Sequence, residues 1–577
     1  MLRLKLGLLF ISAVCFTLIL CGCGGSSNSN SGSSFTLSLS PSSVSITQGG
    51  QATSTITITP QTGFSGNVTL SASGLPTGVM ASSINPNPAN TTSSLTLTAN
   101  ATAATGTVMV TITGVSGTMT NSTTLSLTVT GAEAGQIKHV VIIFQENRST
   151  DNLFHDPVLI AAGADIASQG LTSTGKMVTL TPAPLVTDYG LGHSHSSFLD
   201  ICDYNPSTNS CAMDGADTVP CTPNVGQTCP SSPQYQYVQQ SDVQPYFTMA
   251  ETYTFADRMF QTNEGPSFPA HQYILSGTSA IEAASTTSVV DNPGGEYRSD
   301  GSAWVGCLAP PGAYVTAIDT SELSPATKTF TITNQLCFEH PTLTDLLDAA
   351  GLSWKYYAPS AGSIWTAPDA IQHMCVPSPA YPSETSVCTG SDWTNHVVIE
   401  GSKAQIITDI TAGQLSAVSW VIPTGSNSDH PDEPIDNGPS WVTAIVNAIG
   451  QSPYWADTAI IVTWDDWGGW YDHVPPSIRD SYEYGLRVPL IVISPYAKPA
   501  YISHVNHDFG SILKFVETVF DLGEIDPSVG YADSRSDDLS DCFNFSQTPL
   551  VFTPISAAKG ADYFLNDKSP PTPPDDD

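Results

Sequence analysis

His139-Val140-Val141-Ile142-Ile143-Phe144-Gln145-Glu146-Asn147-Arg148-Ser149 decides the fold. A short β-rich apolar run ends there in an acid, an amide and a guanidinium. Far downstream, Thr458-Ala459-Ile460-Ile461-Val462-Thr463-Trp464 repeats the pattern and ends in Asp465-Asp466, followed by the tight-turn pair Gly468-Gly469. Continuous apolar strands suit a parallel sheet covered on both faces, and ligands of such sheets bind outside the carboxyl ends of the strands. Both acidic ends are therefore expected at one rim. Carboxylates plus an amide oxygen, with no lysine beside them, suit one hard divalent cation rather than an ion-pair network.

Around these runs the chain alternates strand-like and helical patterns. Ser416-Ala417-Val418-Ser419-Trp420-Val421-Ile422 and Arg487-Val488-Pro489-Leu490-Ile491-Val492-Ile493 add strands. Apolar three-to-four spacing predicts helices closed by Gly351, Gly450 and Gly523. The alternation predicts an α/β fold, an α/β/α sandwich spanning residues 136–565, with a disordered Pro/Asp-rich tail at 566–577.

Between Lys5 and Glu133 no Asp, Glu, Lys or Arg occurs. Period-two runs within it, such as Thr55-Ile56-Thr57-Ile58 and Leu125-Ser126-Leu127-Thr128-Val129, predict an immunoglobulin-like β-sandwich over 35–131, read as a spacer or a weak adhesion module, with the spacer favoured for want of aromatic binding residues. Residues 1–22 read as a signal peptide, with Arg3 and Lys5 before an apolar run. Leu20-Cys21-Gly22-Cys23 resembles a lipoprotein cleavage box with Cys23 as lipid acceptor, and 23–34 is a flexible tether. An exported protein, lipid-anchored to the cell envelope or secreted, is expected.

The chain has 577 residues, 40% of them hydrophobic, and a formal net charge of -35. That charge argues against nucleic acid as partner, because polyphosphate backbones require basic surface. A small phosphoester remains compatible where a local cation outweighs a screened, distant field. The cysteines lack zinc-site clustering and read as disulfides. Pairing of sequence neighbours predicts Cys202–Cys211, Cys221–Cys229, Cys307–Cys337 and Cys375–Cys388, leaving Cys542 unpaired and inert.

Gly265-Pro266-Ser267-Phe268-Pro269 places Ser267 at the expected N-cap of a helix closed by Gly277, where backbone N–H groups favour an anion. The local residues leave a structural cap and a nucleophile equally open.

Together with Asp429-His430-Pro431 and Trp464-Asp465-Asp466-Trp467-Gly468-Gly469-Trp470-Tyr471-Asp472-His473-Val474-Pro475-Pro476, these stretches resemble the bacterial phosphoesterase family of phospholipases C and acid phosphatases, over roughly residues 136–522. The resemblance implies an alkaline-phosphatase-like core and hydrolysis of phosphomonoesters or phospholipid head-group phosphodiesters. It implies that Ser267 is the nucleophile, that Glu146, Asn147, Ser267, Asp465 and Asp466 form the metal-centred cluster, and that His430 is an active-site histidine. It implies the same of His193 or His195 in Gly192-His193-Ser194-His195, without choosing between them. Arg148 either holds its loop by pairing with a carboxylate or contacts phosphate. His473 is expected behind the ligands, and His340, His504 and His507 read as structural. Two departures bear on substrate: Pro269-Ala270 stands where the family has Pro-Asn, and Asp465-Asp466 where Asp-Glu is usual. Two rivals are a sulfatase-like or phosphonate hydrolase, disfavoured for want of a Cys/Ser-x-Pro-x-Arg segment, and a surface adhesion protein with a vestigial hydrolase core.

Overall fold

A computed structural model describes residues 34–572 apart from 49, 62, 101–102, 131–135, 322–324, 326 and 434. The expected leader, Cys23, and the tether up to residue 33 lie outside the described residues. No described helix is long and apolar enough to cross a membrane. The chain divides into two compact units at Val129/Thr130.

In the first unit eight strands form two four-stranded sheets. Alternate residues of the long strands, among them Ile56, Leu95, Leu97, Val110, Ile112, Leu125 and Leu127, enter one shared core. The strand Val79–Asn85 escapes period-two reading because its register against Thr92–Ala99 shifts between Ala81 and Ser83. Such a bulge puts consecutive residues on one face and breaks the alternation.

An eight-stranded sheet centres the second unit. Its strands in chain order are β1 (His139–Gln145), β2 (Thr254–Ala256), β3 (Trp354–Ala358), β4 (Val397–Ile399), β5 (Val418–Val421), β6 (Thr458–Trp464), β7 (Leu490–Ile493) and β8 (Tyr501–Ser503). They lie in the order β4-β3-β5-β1-β6-β7-β2-β8. The expected strand around residue 490 does join the sheet, but β7 runs antiparallel to β6 and β2, the other pairs being parallel. The 465–489 connection contains no helix. A parallel return needs a crossover, normally helical, so this chain comes straight back.

Nearly every residue of β1 and β6 is buried, so both sheet faces are covered. Helices α1 (Ser267–Ser276), α2 (Gly438–Gly450) and α3 (Phe509–Phe520) contribute to the same core. Two expected glycine stops differ. Gly450 is the last residue of α2, and α3 ends at Asp521, left-handed at φ 54, before Gly523 is reached. Part of the expected tail lies within the described residues, which end at Thr572. Residues 561–566 are helical, and Thr572 bonds the Gly425 and Ser426 backbone N–H groups through its carbonyl and hydroxyl oxygens.

All four neighbour disulfides are present, and Cys542 is free and buried. Ile461 lies in the middle of β6, fully buried between covered faces. Truncating it leaves a cavity that the sheet cannot collapse, so Ile461→Ala should cost about 2–5 kcal/mol. A matching fall in the urea unfolding midpoint of the second unit checks this.

Candidate active site

Parallel pairing sets Trp464 opposite Gln145, so the next residues, Asp465 and Glu146, leave the sheet side by side. Asn147 turns back at φ 58, a left-handed conformation that asparagine tolerates, and its N–H donates to Asp465 Oδ1 at 2.8 Å. The returning loop passes so close that a Cβ on Gly468 would lie 2.3 Å from the Asn147 carbonyl oxygen, and Gly468 itself has φ +61. The Gly468-Gly469 turn is thus required by the approach of two loops.

Ser267 enters from α1. The expected N-cap is held instead by Pro266, which is extended, and Ser267 is the first helical residue. Freed from capping, its Oγ donates to Asp466 Oδ2 at 3.3 Å, while Asp466 Oδ1 accepts from Gly468 N–H at 2.7 Å. One turn along the same helix face, His271 places Nε2 3.3 Å from Glu146 Oε1. Sequence reading missed His271; the Ser-x-x-x-His spacing on a predicted helix was the available signal.

The structure separates the two histidines left open above. His193 Nδ1 lies 2.8 Å from the Leu191 carbonyl oxygen and donates to it, so Nε2 accepts from Asn147 Nδ2 at 3.0 Å. That bond turns Asn147 Oδ1 away from His193. His195 props the wall instead: its Nδ1 donates to the Glu264 carbonyl at 2.6 Å and its backbone N–H to Asp291 at 2.8 Å. His430 stands near His193, with ring centroids 6.2 Å apart, and Asp432 fixes its Nδ1 side at 2.6 Å.

Glu146, His271 and Asp465 place ligand atoms within 4.8 Å of one another, all buried. Glu146 Oε2, Asn147 Oδ1 and Asp465 Oδ2 accept no hydrogen bond. Three unsatisfied buried oxygens in one cluster are costly to leave so. Burial and then the neighbouring carboxylates push Glu146 and Asp466 well above the usual carboxylate range. Asp465 is the member that stays ionised, its burial outweighed by hydrogen bonds and His271. Among the described residues no Lys or Arg is ion-paired with these three acids. The donor set, two or three carboxylates, an amide oxygen, a hydroxyl and an imidazole, fits a divalent cation.

Arg148 holds its loop, as one of its two readings had it, but through carbonyls rather than a carboxylate. Its Nε donates to Asp429 O at 2.7 Å and its other nitrogens reach Leu185 O and Asn152 Oδ1. Asp429, accepting from Tyr246 and Trp464, is pushed up to about 6 by burial. Behind the rim, buried Arg487 bridges Asp472 at 2.8 Å and Asp151 at 3.1 Å. His473 joins them, 2.7 Å from Asp151.

Residues 137–523 match the family model described as the Phosphoesterase family. The chain belongs to the phosphoesterase family. A non-hemolytic phospholipase C of Pseudomonas aeruginosa is 24% identical over 71% of this chain and 57% of its own length. Phospholipase C A of Mycobacterium tuberculosis is 25% identical over 72% of this chain and 78% of its own. The chain thus spans little more than half of the first relative. A solved structure of domains 4 and 5 of the S-layer protein SbsC aligns with 16% of this chain and 50% of its own, at 24% identity and a TM-score of 0.13, and carries no argument. The matched span covers both acidic strand ends, Ser267, His193, His195 and His430.

The Arg487 network generates a pH dependence. Burial lowers the His473 pKa, but the Asp151 hydrogen bond and the charges of Asp151 and Asp472 outweigh it and raise it from 6.5 to about 9. A raised histidine pKa contributes stability that is full below about pH 6.5 and lost as pH rises through about 9. With the side chain 28% exposed, screening holds this to at most about 2 kcal/mol. Denaturant unfolding should show wild type losing that margin over His473→Gln between pH 6.5 and 9; equal slopes would refute it.

Proposed function

We propose that this protein is an exported, metal-dependent phosphoesterase that hydrolyses phosphomonoesters or phospholipid head-group phosphodiesters through a phosphoseryl intermediate on Ser267. One observation carries the reading: Ser267 Oγ meets Asp466 beside three buried oxygens that accept no hydrogen bond. Family membership and phospholipase C relatives support it. The alternating sheet and helices support an alkaline-phosphatase-like core, and the paired four-stranded sheets an immunoglobulin-like spacer.

Glu146, Asn147, Ser267, Asp465 and Asp466 would hold the cation, with His271 against Glu146. When bound, a divalent cation lowers the pKa of the serine hydroxyl and neutralises charge on the phosphoryl oxygens. Asp466 Oδ2 is placed to take the Ser267 proton as Oγ forms its bond to phosphorus and the bond to the leaving oxygen breaks. His430, its Nδ1 side held by Asp432, would protonate that leaving oxygen, while His193 orients Asn147 through Nε2. Water then attacks the phosphoserine, loses a proton to the same groups, and Ser267 regains its own. Cys23 is proposed as a lipid anchor to the cell envelope, with residues 23–34 as tether. No nucleic acid is implied.

Assay against a chromogenic phosphomonoester and a phosphocholine diester, with and without chelator, should show turnover that chelation abolishes and divalent metal restores. Activity unaffected by chelation in metal-free protein overturns the metal dependence. Ser267→Ala should lose at least roughly 10³-fold in kcat with the fold intact, and acid quenching of wild type should trap phosphate on Ser267. Deleting residues 35–130 should leave turnover of a soluble substrate unchanged; its loss in a folded deletion variant would give that unit a catalytic role.

A further inference from the structure

Away from the active-site cluster, His507, Asp541 and Cys542 bring their ligand atoms within 4.8 Å of one another. His507 precedes α3 directly, Ser503 ends the edge strand β8, and Cys542 lies in the C-terminal turn Ser540–Cys542. His507 and Cys542 are buried, and the Asp541 side chain is 23% exposed. Among the described residues Cys542 is the only cysteine outside a disulfide.

The spacings have a chemical meaning. His507 Nε2 lies 3.3 Å from Asp541 Oδ1, and Cys542 Sγ lies 3.6 Å from the same oxygen. With zinc bonds of about 2.0–2.1 Å to nitrogen and oxygen and about 2.3 Å to sulfur, tetrahedral geometry gives an N–O edge of about 3.4 Å and an S–O edge of about 3.6 Å. Ser503 Oγ lies 3.1 Å from Nε2 and 2.5 Å from Asp541 Oδ2. The far nitrogen of His507 is held by a carboxylate: Nδ1 lies 2.9 Å from Asp537 Oδ2, and Asp537 is itself fixed by Ser511 Oγ at 2.5 Å and Leu539 N–H at 3.1 Å. A carboxylate on the outer nitrogen is the usual support of a zinc-binding histidine, since it sets tautomer and ring orientation.

We propose that His507 Nε2, the Asp541 carboxylate and Cys542 Sγ form a second, structural site for a zinc-class divalent metal. Bound there, the metal staples the C-terminal segment to the edge of the sheet and to the start of α3. Binding breaks the Cys542 S–H bond, its proton leaving to solvent, and uses the lone pair of His507 Nε2 while Nδ1 keeps its proton and donates it to Asp537. The competing arrangement is a metal-free triad in which His507 bridges two carboxylates.

Cobalt(II) distinguishes the two, because thiolate coordination gives a near-ultraviolet charge-transfer band and the active-site cluster contains no thiol. Full-length protein is stripped with chelator and titrated with cobalt(II). Wild type should develop the band at one equivalent per chain, zinc should remove it, and Cys542→Ser should lack it while keeping phosphoesterase activity. Asp537→Asn should weaken the cobalt affinity of the thiolate site by roughly 10–100-fold. In wild type alone, zinc should also slow Cys542 alkylation, measured by peptide mapping, at least tenfold. No thiolate band at saturating cobalt, a band that persists in folded Cys542→Ser, or alkylation indifferent to zinc overturns the site in favour of the triad.

Discussion

Carboxylates that share a buried space without a counter-cation repel one another, and the second unit is built around that constraint. Parallel neighbours β1 and β6 end in register, so Glu146 and Asp465 arrive together, and among the described residues no Lys or Arg is ion-paired with them. The backbone answers in part, through Asn147 N–H and Asp466 N–H on Asp465 Oδ1. Oxygens on three residues remain without donors, and each buried acceptor left so costs the desolvation of the group. Burial and the neighbouring carboxylates accordingly favour the protonated form at Glu146 and Asp466.

The positive charges that are present serve position instead. Arg148 places its donors on the Asp429 and Leu185 carbonyls and Asn152, tying the loop after β1 to neighbouring turns. Arg487 binds Asp151, just past the Glu146 loop, and Asp472, just past the Gly468-Gly469 turn, so one buried guanidinium joins the two loops that carry the carboxylates. Buried ion pairs add little net stability over apolar packing, but losing one partner strands the other charge. Their contribution is to fix where the acids stand.

Much of this was readable from residue order. The acidic-ended apolar runs, the glycine pair and the histidine motifs all carried local signals, and the disulfides joined sequence neighbours. What escaped depended on three dimensions. β7 runs antiparallel because its connection lacks a helix, which periodicity does not report. Ser267 and Pro266 exchange the cap by one residue, a distinction set by backbone angles rather than residue type. His193 and His195 stand two apart and differ only in what faces them, an amide in one case and a carbonyl in the other. His271 went unseen because its partner is Glu146, 125 residues away. His507, read as structural, shows its carboxylate and thiol neighbours only once the C-terminal turn is folded against it.

For a chain of net charge -35, the proposed anionic phosphoester requires that surface and site be electrostatically separate. At physiological ionic strength, exposed charges are screened beyond about 8 Å, so the acidic surface sets solubility and excludes polyanions without deciding what happens at Ser267. Inside the cluster screening fails, and the local donors decide. Arg148 and Arg487 are committed to loops, while Asn147 binds His193 through its side chain and Asp465 through its backbone N–H. On the proposed reading, a phosphoryl group would be met by a cation held by the carboxylates and by the His430 imidazole. On that reading, the buried carboxylates are the groups that would hold a cation beside the serine.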